Sequence, residues 1–304
     1  MNVPFDVLAE GLVYAEGPVW HGPLDVTFVE LGARRVQRWR NGRVELVATT
    51  GGAPNGATLG SDGNLYVANN GGIYPLSPDR LGAAADGVTG RIQRVSLDGR
   101  VEQLVVDLPR PLPWRPNDLR FGPDGDLYFT DPGNWEAYLD RTEYRGGALC
   151  RIRIDRSDAR GQLSAGIAEV VQPFGDFPNG LAFSPDWTRL YLAHSANGVV
   201  QVMSFQDGIV GPARPFCTVP EGGPDGITFD DSGRLYVCGS VADNGGDAIY
   251  VYGPDGDLDV RYDLPHQSDP TNLCLGDGGI YVTLGLAGQL IFIRHDARPA
   301  ALLP

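Results

Sequence analysis

No stretch of the sequence approaches the roughly 18 consecutive apolar residues of a membrane helix, and none keeps a sustained 3.6-residue apolar period. These absences exclude a membrane span and a helical solenoid. Cysteine is scarce: Cys150, Cys217, Cys238 and Cys274 lie far apart inside strand-like runs, with no CxxC. They read as small buried hydrophobes of a reducing compartment, not as a disulfide framework or a thiolate zinc site. Basic charge is also short, 24 Lys and Arg against 38 Asp and Glu, for a net charge of −14. Phosphate backbones would be repelled, which excludes a nucleic-acid partner. There is no GxSxG elbow, so a serine triad is unsupported. The N-terminus has neither the basic start nor the apolar core of a signal peptide, and the expected location is the cytoplasm.

Glycine and proline are abundant instead, 42 and 24 of 304 residues, and the glycines punctuate a repeat. Residues 115–131, RPNDLRFGPDGDLYFTD, carry two short alternating apolar runs joined by Pro123-Asp124-Gly125, the pattern of a β-hairpin. Copies begin at Pro54 (PNGATLGSDGNLYVANN), Phe177 (FPNGLAFSPDWTRLYLAHS) and Gly223 (GPDGITFDDSGRLYVCGS). A shortened copy begins at Asp269 and a degraded one at Ala15. Each is followed by a third strand-like run and five by a fourth. This predicts an all-β chain folded as a six-bladed β-propeller, one domain over residues 1–304 with four antiparallel strands per blade. The sixth unit lacks its fourth strand. FDVLAEGL, residues 5–12, is placed to supply it and close the ring.

The Tyr of each LY or IY pair serves as a ruler. Asn55, Asn117 and Asp225 stand eleven residues before Tyr66, Tyr128 and Tyr236, and Asn179 stands twelve before Tyr191. Glu16 stands twelve before Phe28, and Thr271-Asn272 hold the matching place in the last copy. First strands of a propeller line its central channel, so these side chains converge on one axis. Glu, Asn, Asn and Asp with no compensating Lys make an oxygen-only shell suited to Ca²⁺, or with added waters to Mg²⁺ or Mn²⁺. Two carboxylates would neutralise a divalent ion. Turn chemistry alone accounts for Asp62-Gly63, Asp124-Gly125 and Asp255-Gly256 at hairpin tips. It does not account for Asp225-Gly226, which lies a full strand before its own tip.

EGPVW at Glu16, RPND at Asn117, PNGL at Asn179 and PDGI at Asp225 resemble, in order, motifs of the gluconolactonase, regucalcin and luciferin-regenerating-enzyme family of six-bladed propellers. The resemblance spans essentially the whole chain. It implies a hydrolase opening a small lactone at one divalent ion, Ca²⁺ first with Zn²⁺, Mn²⁺ or Mg²⁺ as alternatives. Glu16, Asn179 and Asp225 are the implied ligands, and Asn117 is either a fourth ligand or a substrate holder. Arg115 matches an Arg-x-Asn arrangement that contacts substrate hydroxyls. Asp225, the only kind of titratable group at these positions, is the candidate general base or nucleophile. The alternatives are a phosphotriesterase-like hydrolase on the same site and a calcium-binding propeller without turnover. The expected partner is a small molecule, with the chain a monomer or weak oligomer.

Specificity is expected from Asn55 and Asn272 in the ring, from His194 after its strand, and from two insertions, residues 70–89 and 131–147. Both leave a second strand and should overhang the same channel mouth. In the second, Trp135 and Tyr138 offer an aromatic wall, while Asp131 and Glu136 offer carboxylates for hydroxyls. His21, His266 and His295 have no companion at a telling spacing and read as core or surface.

Overall fold

In a computed structural model of the chain, the described residues are 3–77, 80–83, 90–105, 114–133, 135, 146–155, 164–220, 222–240 and 247–300. Every element among them is a strand. Strand β1 (Asp6–Glu10) comes first and belongs to the last blade. Blade one is β2 (Ala15–Gly22), β3 (Asp25–Glu30), β4 (Arg35–Arg40) and β5 (Arg43–Thr49). Strands β6 (Pro54–Leu59) and β7 (Leu65–Asn69) open blade two. The insertion after β7 forms a two-stranded hairpin of its own, β8 (Ile73–Ser77) and β9 (Arg80–Ala83), and β10 (Arg91–Val95) and β11 (Val101–Val105) complete the blade.

Blade three is β12 (Leu119–Phe121), β13 (Leu127–Asp131), β14 (Gly147–Asp155) and β15 (Ser164–Phe174). Blade four is β16 (Pro178–Phe183), β17 (Arg189–His194) and β18 (Val199–Gln206), flanked by a two-residue β19 (Ile209–Val210) and by β20 (Arg214–Thr218). Blade five is β21 (Gly223–Phe229), β22 (Leu235–Ser240), β23 (Ala248–Tyr252) and β24 (Leu258–Asp263). Blade six is β25 (Pro270–Gly276), β26 (Gly279–Leu284) and β27 (Gln289–Arg294), completed by β1 antiparallel to β27. The all-β six-bladed propeller and its N-terminal closure are as the repeat predicts. The hairpin β8–β9 and the strand β19 are additions to it.

The ruler tyrosines show why the repeat is kept. Tyr66 and Tyr128 are fully buried, and their hydroxyls donate back to the turn carboxylates Asp62 at 3.1 Å and Asp124 at 2.8 Å. Each hairpin is thus stapled to its own tip. The apolar core is divided into six clusters, one at each junction between neighbouring blades; Val67 and Leu65 pack with Val29 and Val36 between blades one and two, for example. The sixth cluster joins Ala9, Phe28, Trp39, Tyr281 and Leu290 across the closure. Burial between blades leaves the central axis free for polar groups. All four cysteines are free. Among the described residues no helix is long and apolar enough to cross a membrane.

Candidate active site

A one-residue bulge in each first strand aims the ring side chains. In β6, Pro54 pairs with Asn69 and Ala57 with Val67, so Asn55 and Gly56 together oppose one residue. The same two-against-one step holds Asn179-Gly180 in β16 and Asp225-Gly226 in β21, and follows Glu16 in β2. In β25 the extra residue is Thr271. Ahead of β12, the Asn117 amide donates to the Thr130 carbonyl at 2.9 Å and the Thr130 amide donates to the Asp118 carbonyl at 2.9 Å, so again two residues face one. Bulges break the ladder and turn a side chain off the sheet plane, here toward the axis.

In four of the bulges a glycine permits close approach of the next blade. A Cβ on Gly17 would lie 2.7 Å from the Ala57 amide nitrogen, one on Gly56 2.6 Å from the Asn117 carbonyl oxygen, and one on Gly180 2.4 Å from the Asp225 carbonyl oxygen. First strands therefore pack backbone against backbone around the channel, and the Gly56 amide donates to the Asn117 carbonyl at 2.6 Å.

The ring brings Glu16, Asn179 and Asp225 together. Asn179 hydrogen-bonds to Asp225, and Glu16 is among the groups acting most strongly on Asp225. Glu16 is 3% exposed and takes the Gly17 amide at 2.6 Å, while Asp225 keeps partial exposure. Burial first, then repulsion from Asp118, pushes the Glu16 carboxyl up to about 8. Burial, then Glu16, Asp269 and Asp118, hold the Asp225 carboxyl well above the usual carboxylate range. No guanidinium is among the strongest influences on either. Buried carboxyls that raise each other's pKa form a site that a divalent cation would relieve. Among the described residues no three His, Cys, Asp or Glu side chains are placed to share one ion. A set with only two acids and two carboxamides, Glu16, Asp225, Asn117 and Asn179, does not depend on such a trio.

Four of the expected substrate residues end in buried polar atoms without partners among the described residues: Asn55 Nδ2, Arg115 Nε, Trp135 Nε1 and His194 Nε2. Arg115 is held from behind, its amide donating to Asp131 Oδ1 at 2.8 Å and its Nη1 to the Asn70 carbonyl at 3.2 Å. Asp131 is fully buried, and the same oxygen also takes the Gly133 amide at 2.9 Å. That places Asp131 as a brace for the Arg115 loop. His194 is fully buried with Nδ1 2.7 Å from Asp176 Oδ1, and Trp135 packs on Phe177 at 5.4 Å between ring centroids. Asn272 hydrogen-bonds to both Glu16 and Asp118. Glu136 and Tyr138 lie outside the described residues.

Three further groups belong to this channel. Asp118 is 1% exposed and accepts from the Leu119 amide at 2.8 Å and from Arg120 Nη1 at 3.2 Å. Asp269 accepts the Tyr14 hydroxyl at 2.7 Å and is also bonded by Ser240. Tyr14 and Asp269 both have left-handed backbones, φ 59° and 56°, a conformation that Asp adopts more readily than Tyr. One sequence signal marks Asp118: it stands where four other repeats have the bulge glycine.

The family profile of the SMP-30/Gluconolactonase/LRE-like region matches residues 14–285. The chain is 26% identical to the gluconolactonase of Zymomonas mobilis over 97% of its own length and 82% of that protein. It is 28% identical to the L-arabinolactonase of Azospirillum brasilense over 60% of its length, spanning 57% of that relative. Among solved structures it superposes on a gluconolactonase of Xanthomonas campestris (TM-score 0.71, 23% identity, 95% of this chain and 88% of that one). It also superposes on a calcium-binding regucalcin of Agrobacterium tumefaciens (TM-score 0.67, 20% identity, 99% of each chain).

Proposed function

The chain belongs to the SMP-30/Gluconolactonase/LRE-like family, and from that premise we propose that it hydrolyses a lactone at a divalent cation in the propeller channel. The observation that carries the reading is the pair of buried, mutually repelling carboxyls, Glu16 and Asp225, set among carboxamides on six convergent bulges. The lactonase names of the two curated relatives support the substrate class. Glu16, Asn179 and Asp225, with Asn117 beside them, would hold the ion. Once bound, it supplies Lewis-acid polarisation of the lactone carbonyl and charge stabilisation as the oxyanion develops.

The rest is the work of side chains. Asp225, partly exposed and oriented by Asn179, takes the proton of the attacking water. Arg115, braced by Asp131 and Asn70, and Asn55, whose Nδ2 has no partner among the described residues, face the substrate hydroxyls. The reading includes Ca²⁺ as the ion and a small lactone as the only partner, with the chain acting as a monomer or weak oligomer in the cytoplasm.

Metal content of the purified protein, followed by acid release from a lactone panel with and without chelator, tests this. One tightly held divalent ion and chelator-sensitive turnover, both lost in Glu16→Gln, are expected. Metal without turnover on lactones would leave a cation-binding propeller, or a phosphotriesterase if phosphotriesters are cleaved instead. Neither metal nor turnover overturns the reading.

A further inference from the structure

The channel has a second half. Immediately beyond the bulges, stretches 18–20, 57–59, 120–121, 182–183, 228–229 and 273–275, one from each blade, line a cavity of about 380 Å³. It lies on the other side of the Asp118–Asn272–Glu16 cluster from the channel start, and its volume falls in the range of about 300 to 1,000 Å³ typical of small-molecule sites. Its wall is aromatic and aliphatic: Trp20, Phe121, Phe183, Trp187, Phe229 and Leu275. Arg120 is the only charged residue among the described lining.

Two features mark this cavity as more than a packing remainder. Arg120 makes its three hydrogen bonds, to the Leu119 carbonyl at 2.8 Å, Asp118 Oδ1 at 3.2 Å and the Ala57 carbonyl at 3.3 Å, through Nη1 alone. Among the described residues, Nε and Nη2 have no hydrogen-bond partner, and they form the edge of the guanidinium that engages a carboxylate with two parallel bonds. Trp187 sits at the tip of the blade-four hairpin, where the matching repeats have Gly63, Gly125 and Gly233. Its φ of 61° is a left-handed conformation that those glycines adopt without strain and a tryptophan does not. The fold accepts that strain and thereby places an indole in the cavity wall, 6.0 Å from the Phe183 ring.

We propose that this far half of the channel binds a small amphiphilic monocarboxylate, its head on Arg120 and its apolar body between the aromatic walls. Asp118 accepts from Nη1 and already balances the guanidinium charge, so the carboxylate is held by the two donors of the Nε–Nη2 edge. A polyhydroxylated acid, the kind of product the proposed reaction releases, would leave its hydroxyls unpaired against the rings. A neutral oil would leave the Arg120 edge without a partner, and an ammonium would meet only donors there. Thr58, Ser61 and Thr228, also on the wall, add hydroxyls to the cavity.

Calorimetric titration of the full chain in chelator, without lactone, tests this independently of the hydrolase reading. Hexanoate, octanoate and decanoate are the probes, with 1-octanol and octylamine as neutral and cationic counterparts. Saturable one-to-one binding of octanoate is expected, tightening roughly fourfold per added methylene, as about 0.8 kcal/mol per buried CH₂ implies. Arg120→Met should weaken octanoate at least tenfold and leave 1-octanol unchanged. Thr228→Phe, which fills the cavity and keeps Arg120, should abolish octanoate binding, and this keeps the test decisive if Arg120→Met fails to fold. Non-saturable binding, octanol binding as tightly as octanoate, or full octanoate affinity in Thr228→Phe would overturn the proposal.

Discussion

Asp118 of blade three and Asn272 of blade six, opposite each other in the ring, are hydrogen-bonded across the channel. They meet because the matching position is glycine in the four intervening blades. A Cβ on Gly226 would lie 2.3 Å from Asn272 Cγ, and one on Gly56 would lie 2.6 Å from Asp118 Oδ1. Gly226→Ala should therefore displace Asn272, which also bonds Glu16. The expected outcome is a loss of about 1–3 kcal/mol, the usual cost of overpacking, together with weaker metal binding. Denaturant unfolding and metal titration check the two effects. Gly278→Ala makes a contrasting control: its Cβ meets nothing, and any cost there comes from its φ of 81° alone.

The metal-free protein should lose stability as pH rises. Glu16 is pushed up to about 8, against roughly 4.3 in an unfolded chain. Between those values the native state holds a proton that the unfolded state has released. Unfolding free energy then falls by about 1.4 kcal/mol per pH unit from this group alone, and Asp225, raised for the same causes, adds to the slope. Melting scans in chelator from pH 5 to 8 should show a falling Tm. Excess Ca²⁺ should flatten the curve, because cation binding and deprotonation are linked. Asp118→Asn removes the repulsion that ranks after burial on Glu16, so the fall should be smaller and should end at lower pH.

The fold was legible because an aromatic residue, Tyr in five blades and Phe28 in the first, recurs at a countable spacing, and in blades two, three and five its hydroxyl is bonded to a turn carboxylate. The ring positions Glu16, Asn55, Asn117, Asn179 and Asp225 follow from the same count. The bulges that aim them are not visible as such, since a single extra residue looks like part of the turn-rich background. Asp118 went unnoticed because it abuts Asn117 and reads as an ordinary Asn-Asp turn, although comparison with Gly17, Gly56, Gly180 and Gly226 would have exposed it. Asp269 and Tyr14 were hidden for a different reason. One precedes a proline and the other lies between strands, and only the ring closure brings residues 255 positions apart to 2.7 Å.

Arg115 offers a test of substrate contact separate from metal chemistry. Its Nε has no partner among the described residues, and its loop is fixed by Asp131. Arg115→Met removes charge-assisted bonds worth about 1.5–3 kcal/mol, so kcat/KM should drop by roughly ten- to a hundredfold, mainly through KM. Metal content should be unchanged. Asp131→Asn, which disturbs the brace rather than the contact, should give a smaller drop in the same direction.

Tyr14→Phe isolates one hydrogen bond, because either ring accepts the same left-handed backbone and only the hydroxyl on Asp269 is lost. Burial raises the Asp269 carboxyl, and the Tyr14 and Ser240 hydroxyls partly offset that by favouring its charged form. Without Tyr14 the charged form loses a donor, so the carboxyl should rise further. The penalty should then be about 1–3 kcal/mol where Asp269 is ionised and should shrink toward acid pH, where the protonated group needs less help. Paired melting curves of wild type and variant from pH 4 to 9 measure this directly. A Tm difference that widens with pH assigns the hydroxyl to holding a charge. A constant difference would mean that the hydroxyl bonds an Asp269 whose charge does not change, and Asp269 would then stay protonated in the channel across the whole range.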